Sequence, residues 1–326
     1  MRVAVTGGCG FIGSHVVDHL LAAGHDVRVI DTSTRWLNPA ADYCGADLFD
    51  DDAMDAALAD REAVFHLAAV ADVNDVDADP VRAVRLNVEG TARVLAAARR
   101  QGCGRVILAS TVWVYGATAG DGERDENALV DLTRAGHVYV STKLAAEMLM
   151  HSYRQMYGQE FTILRYGIPY GPRMRDALVV AKFVQLALDG KPITIAGSGD
   201  QQRHYVYVED LADAHVRALA PAAADRTLAL EGGTGVSVRE IADTVRSLVG
   251  ETTIEHVPAR NADYSGVSVS NTLAKELLDW SPVTSFADGV QRYLDWLRTQ
   301  PPTGSPPPAG SQPPAGSQPP AGSQPS

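Results

Sequence analysis

Apolar positions in the first half of the chain fall into short runs separated by stretches with helical spacing. Residues 3–6 and 27–30 read as strands and residues 12–23 as the helix between them, a βαβ unit. The rhythm continues through an apolar run at 63–67, a long helical stretch at 81–100, a run at 105–109, a helix over 139–157 and a run at 161–164. Strands this apolar, spaced by helices, predict an α/β fold whose parallel sheet is covered on both faces, because only burial on both sides tolerates unbroken apolar runs.

Beyond about residue 165 the alternation loosens and predicts a smaller α+β region over 166–300, some of whose segments return to the first sheet. Ser237 and Glu240 stand at capping-box spacing and predict a helix ending near Gly250, while Asn271 and Ser285 predict the starts of two more. Between Pro307 and Gln324 the hexapeptide PPAGSQ occurs three times. Such a composition cannot bury apolar surface, so 301–326 is expected to be a disordered, Pro-rich tail without chemistry.

Composition narrows the class. Hydrophobic residues make up 45% of 326 residues, enough for a substantial core. No apolar run reaches the roughly 20 residues that span a bilayer, and the chain enters a strand at once, so a cytoplasmic protein is expected. Forty acidic against 28 basic residues leave a net charge of −12, which repels nucleic acid and anionic lipid at long range and argues against both as partners. An anionic ligand must therefore be met locally. Cys9, Cys44 and Cys103 are too few and too scattered for a disulfide framework or a metal site, and are expected to pack as small apolar residues.

The local anion site is predicted directly after the first strand. TGGCGFIGSH places Gly7, Gly10 and Gly13 at the spacing Gly-x-x-Gly-x-x-Gly, with the helix beginning behind them. A glycine turn lets backbone approach a pyrophosphate, and the helix N-terminus favours its charge. Asp31, at the end of the second strand, is placed to accept from adenosine ribose hydroxyls and to repel a 2′-phosphate, which favours NAD over NADP. Arg35 leaves NADP open if it swings toward the ribose. Asp47 and Leu48 fit beside the adenine, with a helix cap as the alternative for Asp47.

Tyr139 and Lys143 stand four apart on one helical face. A free phenol titrates near 10 and is a poor base at neutral pH; an adjacent ammonium, helped by a bound nicotinamide cation, is expected to bring it into a useful range. Ser110 and Thr111 close the strand at 105–109, at the sheet edge where ligands bind, so Thr111 is placed to bond the same oxygen as Tyr139.

With these residues the chain resembles the extended short-chain dehydrogenase/reductases, specifically the nucleotide-sugar epimerase and dehydratase family. The resemblance runs from Arg2 to about Leu297. Beyond the glycine turn it rests on HLAA at 66–69, NVEGT at 87–91, STVWVYG at 110–116, YVSTK at 139–143 and RYGIPYGPR at 165–173. It implies a Rossmann-type NAD-binding domain over 1–165, with Phe11, Ile12, Leu67, Ala68, Ala69, Asn87 and Tyr166 joining Gly7, Gly10, Gly13, Asp31, Asp47, Leu48, Tyr139 and Lys143 at the cofactor. It also implies a nucleotide-diphosphate sugar as substrate. GSGDQQRHYVYVED at 197–210 resembles the family's sugar-nucleotide segment, with Arg203 at a phosphate or nucleoside and Tyr205 packed nearby; Arg260 and Asp263 match a second contact, to diphosphate and ribose. A homodimer through the Tyr139 helix and the preceding long helix is likewise implied.

Departures from the family pattern narrow the reaction. Sugar 4,6-dehydratases follow the strand threonine with Asp-Glu, where this chain has Val112 and Trp113, and uronate decarboxylases usually have a glutamate at the place of Trp113. Neither residue can carry a proton. What survives by resemblance is a 4-epimerase that needs NAD, Thr111, Tyr139 and Lys143, with a 4-ketoreductase, a UDP-glucuronate decarboxylase and a non-enzymatic NAD(P) sensor as alternatives. Ile168 replaces an asparagine that contacts the substrate diphosphate in the family. Arg173 and Arg175 resemble residues offered to a sugar carboxylate, equally readable as phosphate or surface residues, which keeps a UDP-uronic acid a candidate substrate.

Overall fold

The computed structural model describes residues 1–118, 122–258 and 268–300. Arg260, Asp263 and the Pro-rich segment lie outside the described residues.

The alternation builds a seven-stranded, all-parallel sheet. In chain order its elements begin with β1 (Arg2–Thr6), α1 (Phe11–Ala22), β2 (Asp26–Ile30), β3 (Asp42–Cys44), α2 (Asp51–Leu58) and β4 (Ala63–His66). They continue with α3 (Val73–Ala78), α4 (Pro80–Val84), α5 (Gly90–Arg100), β5 (Arg105–Thr111), α6 (Val138–Tyr157) and β6 (Glu160–Tyr166). After these come β7 (Ile168–Tyr170), α7 (Val179–Leu188), β8 (Ile193–Ala196), β9 (Gln202–Tyr207), α8 (Val208–Arg217) and β10 (Arg226–Leu230). The chain closes with β11 (Gly235–Ser237), α9 (Val238–Val249), β12 (Ile254–Val257), α10 (Thr272–Leu278) and α11 (Phe286–Thr299). The order across the large sheet is β10-β6-β5-β4-β1-β2-β3, so the winding direction reverses between β1 and β4. At such a reversal a crevice opens outside the carboxyl ends of the strands.

Helices cover both faces of this sheet. On one face α1, α8 and α10 bury Val16, Leu20, Leu211 and Leu278 against Val5, Phe65 and Ile107; on the other, α2, α5 and α6 bury Leu58, Leu95 and Met150 against Ala4, Val64 and Val106. β10, α8 and α10 thus return from the second half of the chain to the first sheet. The remaining elements form a smaller region around Tyr170, Phe183, Ile195, Ile241 and Leu294, with a three-stranded sheet β11-β9-β7 and a two-stranded β12-β8. Among the described residues no helix is long and apolar enough to cross a membrane.

Several local expectations are modified. The long helix of 81–100 is interrupted, with α4 and α5 flanking a π-turn over Arg85–Glu89, because Asn87 is turned inward to bind two other segments. Asp47 does not cap a helix: Asp50 caps α2 by accepting from Ala53 N, while Asp47 accepts from Phe49 N in a turn. The capping box of α9 forms with both bonds, and Ser285 caps α11. Asn271 stands at the start of α10, but its side chain makes no cap and instead binds both backbone groups of Glu231. Cys9 and Cys103 are buried, Cys44 is half-buried, and all three are free thiols.

Candidate active site

The crevice between β1 and β4 is lined by closely packed backbone. Gly7 has φ +70°, and a Cβ there would lie 2.7 Å from Ala68 N; a Cβ at Gly13 would strike the Gly7 carbonyl. Only glycine permits both the turn and this approach. Gly10 N donates back to Gly7 O at 3.0 Å, and Leu67 N donates to Thr6 O, drawing the 67–69 segment against the turn. No side chain caps α1 at Gly10 and no acidic residue lies in its first turn, which spans Phe11, Ile12 and Gly13. Its N–H groups and positive dipole end face the crevice without a competing anion. The seat therefore fits a dinucleotide pyrophosphate.

Asp31 accepts from Cys9 N in the glycine turn and from Ser33 N, both at 2.9 Å, so its carboxylate is oriented at the end of β2. Arg35 stacks its guanidinium 5.1 Å from the Trp36 ring. Leu48 is buried against Gly90, and Asp47 beside it is exposed. Beneath the seat His66 links Thr6 at 2.8 Å to Thr91 at 3.1 Å, and Thr91 donates to Asn87 O. Burial pushes the His66 imidazole down to about 3, so it is neutral in this role.

Asn87 spans the gap between the two halves of the crevice. Its amide bonds both backbone groups of Val70 and donates to Thr142 Oγ1 at 3.0 Å, and Thr142 donates to Tyr139 O. Both of its N–H donors are used, so it positions the start of α6 relative to the β4 end.

Thr111, Tyr139 and Lys143 come together there. The Thr111 hydroxyl is near enough to the Tyr139 phenol to favour its ionised form, and Lys143 Nζ lies 5.9 Å from the Tyr139 ring centre while donating to Ala109 O at 3.0 Å. The expectation of an acidified phenol is corrected for the protein alone. Burial pushes Tyr139 up to about 12, opposed by Arg175 and by the Thr111 hydroxyl rather than by Lys143. Burial also pulls the Lys143 ammonium down to about 8, opposed by Glu147 one turn further along α6. Desolvation penalises both charged forms, and the lysine charge is directed at a carbonyl.

Sequence reasoning missed the support under this cluster. Glu147 accepts from Arg165 Nε and Nη2, at 3.0 and 2.7 Å, and from Ser110 Oγ at 2.5 Å. This buried pair joins α6 to the ends of β5 and β6; only the helical spacing from Lys143 to Glu147 hinted at it. Tyr166, opposite Thr111 in the sheet register, donates to His215 Nε2 at 2.6 Å, since His215 Nδ1 is committed to Leu211 O.

On the expected substrate side the assignments divide. Arg175 faces Tyr139 electrostatically and pairs with Asp72 at 2.9 Å. Arg173 does not join it: with φ +65° it turns to Asp18 on α1, 2.8 Å away but out of hydrogen-bonding alignment. Arg203 is half-buried on β9 opposite Val236, and Tyr205 packs in the smaller core against Tyr170 and Phe286. Ile168 pairs with Tyr205 between β7 and β9. Trp113, whose backbone N–H donates to Thr111 Oγ1, sets its ring edge-to-face with Tyr139 at 6.1 Å. Glu231, just past β10, is buried against Gly167, where a Cβ would strike its Oε1. Burial pushes its carboxyl up to about 8, opposed by the Gly232 N–H.

Known proteins share this fold. The NAD dependent epimerase/dehydratase family matches residues 3–229. A UDP-glucose 4-epimerase of Mycolicibacterium smegmatis is 33% identical over 316 residues, covering 92% of this chain and 99% of that one. The structure of a UDP-glucose 4-epimerase with UDP-glucose from Thermotoga maritima superposes with a TM-score of 0.84 at 30% identity, covering 91% and 99% of the two chains. A UDP-glucuronic acid 4-epimerase of Bacillus cereus, solved with UDP-glucuronic acid and NAD, gives 0.81 at 28% identity over 91% and 99%. With its glycine seat, its threonine, tyrosine and lysine on one sheet edge, and this likeness across nearly the whole described fold, the chain is an enzyme belonging to the NAD dependent epimerase/dehydratase family.

Proposed function

We propose that the enzyme is an NAD-dependent nucleotide-sugar 4-epimerase, which oxidises sugar carbon 4 to a ketone and returns the hydride to the opposite face. The observation that carries the reading is the gathering of Tyr139, Lys143 one helical turn along, and Thr111 through its turn to Trp113, at the carboxyl end of β5 beside the glycine seat. NAD, when bound, supplies the hydride acceptor and a positively charged ring. Asp31 retains lone pairs for ribose hydroxyls beyond those given to Cys9 and Ser33, and Arg35 is engaged with Trp36, which favours NAD over its 2′-phosphate.

In this reading Tyr139 removes the proton of the carbon-4 hydroxyl as the hydride departs, and restores it to the ketone oxygen when the hydride comes back. Thr111 holds that oxygen. A phenol near 12 is scarcely ionised at neutral pH, so proton removal depends on positive charge gathered around it, from Arg175 and the bound ring, and from Lys143 once its ammonium turns from the Ala109 carbonyl. Val112 and Trp113 offer no proton-transfer group, which disfavours loss of water from the sugar. Arg175 beside Tyr139 suits a sugar carboxylate, so UDP-uronic acids belong among the candidate substrates; Arg203, Arg260 and Asp263 remain the proposed nucleotide contacts. Exposed Met148 and Met156 on α6, with Val81 and Val84 on α4, support a homodimer through these helices.

The test is incubation with a panel of UDP- and dTDP-sugars without added NAD(P)H, followed by NMR of the products. The expected product is the carbon-4 epimer, and Tyr139→Phe should lose turnover by roughly 10²-fold or more while keeping NAD. Product only when NAD(P)H is supplied identifies a ketoreductase, and carbon dioxide from UDP-glucuronate a decarboxylase. Full activity in Tyr139→Phe refutes the proton relay.

A further inference from the structure

The first turn of α6 carries a histidine that the proton relay does not use. His137 is the residue before the helix, with extended backbone, and its Nδ1 accepts from Tyr139 N at 3.1 Å. A ring nitrogen that accepts carries no proton, so in the neutral ring the single N–H is on Nε2. That atom is buried and has no hydrogen-bond partner among the described residues. The ring lies 6.4 Å from the Tyr139 ring and 6.2 Å from that of Trp113, and the three rings meet edge-to-face in a triangle at the mouth of the Thr111 turn. Buried donors are almost always paired, and one left open beside a reacting phenol is a place for a ligand acceptor.

We propose that His137 is a substrate contact: its Nε2–H donates to an oxygen substituent of the sugar near the carbon served by Tyr139, a hydroxyl, acyl carbonyl or carboxylate. Trp113 packs against the adjoining C–H face of the ring, as aromatic side chains with apolar faces do. The contact selects sugars with a lone pair at that position and holds the reacting hydroxyl toward the phenol. The inference rests on the nucleotide-sugar reading above.

Two variants separate the contact from the cap. His137→Asn keeps a side-chain acceptor for Tyr139 N, asparagine being among the best helix caps, and removes the far donor. On the nucleotide sugar that the wild-type enzyme turns over best, kcat/KM of His137→Asn should fall about 10-fold, mainly through KM, as for loss of one hydrogen bond to a ligand. Its melting temperature and NAD affinity should match wild type, whereas His137→Ala should lower the melting temperature as well. Wild-type kcat/KM in His137→Asn overturns the contact, as does a fall accompanied by an equal loss of thermal stability in both variants. If the wild-type enzyme acts on none of the nucleotide sugars, the functional reading fails first and the contact with it.

Discussion

Glu231 provides a test in which the magnitude follows from the structure. The residue is 2% exposed, its backbone is clamped by Asn271, and its carboxyl lies where a side chain at Gly167 would be. Burial raises the carboxyl from 4.5 to about 8. A group whose folded-state pKa is raised leaves stability intact below its unfolded value and withdraws it as pH climbs toward the folded value. The window is therefore pH 4.5 to about 8. At pH 7 the gap is about 2.5 units at 1.36 kcal/mol each, or about 3 kcal/mol. Glu231→Gln keeps the shape and an acceptor for the Gly232 N–H but has no charge to form. The stability of the variant minus that of wild type should rise by about 3 kcal/mol between pH 4.5 and 7, and level off above about pH 8. In a chain of this size that corresponds to roughly 6 °C in Tm at pH 7 relative to the low-pH difference. Denaturant unfolding of both proteins at half-unit pH steps measures it, and pairing the two cancels every other titrating group. A difference that stays flat across this window refutes the argument that the carboxyl is folded into an apolar site and forced to ionise there.

The buried Glu147–Arg165 pair should be expensive to break: Glu147→Gln is expected to cost about 3 to 5 kcal/mol in urea unfolding, because it strands a buried guanidinium. Since Glu147 holds the Lys143 ammonium up against burial, the same variant should move the alkaline limb of the pH–rate profile below about 8, the reverse of a merely destabilised enzyme's unchanged limb. Gly13→Ala should weaken NAD binding by about 10-fold or more, since its methyl strikes the Gly7 carbonyl and the turn must shift; calorimetric affinity within about twofold of wild type would mean the turn is not the seat.

Much of the architecture was legible because it rests on local patterns. Continuous apolar runs and the glycine spacing identify β1, α1 and β2, and the sheet forms parallel and covered on both faces as expected. A third strand before Asp47 and a helix after it were read without bounds: β3 has only three residues, and the cap of α2 is Asp50, one of several acidic residues in a row, so Asp47 could equally be read as the cap. The 81–100 stretch has helical spacing throughout, yet it widens into a π-turn at Asn87 because that amide is drawn to Val70 and Thr142, partners 17 and 55 residues away. Arg173 and Arg175 look alike in sequence. One turns to Asp18 on α1 and the other to Asp72 at the start of α3, a choice made by the left-handed backbone at Arg173.

The sequence by itself determined which elements form and which chemical groups are available: apolar periodicity, capping residues and glycine spacing act within a few residues, so their physics is local. The tertiary structure alone decided the charge state and the partners of those groups. Burial raises the phenol of Tyr139 and the carboxyl of Glu231 and lowers the ammonium of Lys143, and the Glu147–Arg165 pair exists only because β6 lies beside β5. Desolvation and long-range pairing depend on what the rest of the chain excludes from water, and no stretch of sequence contains that information on its own.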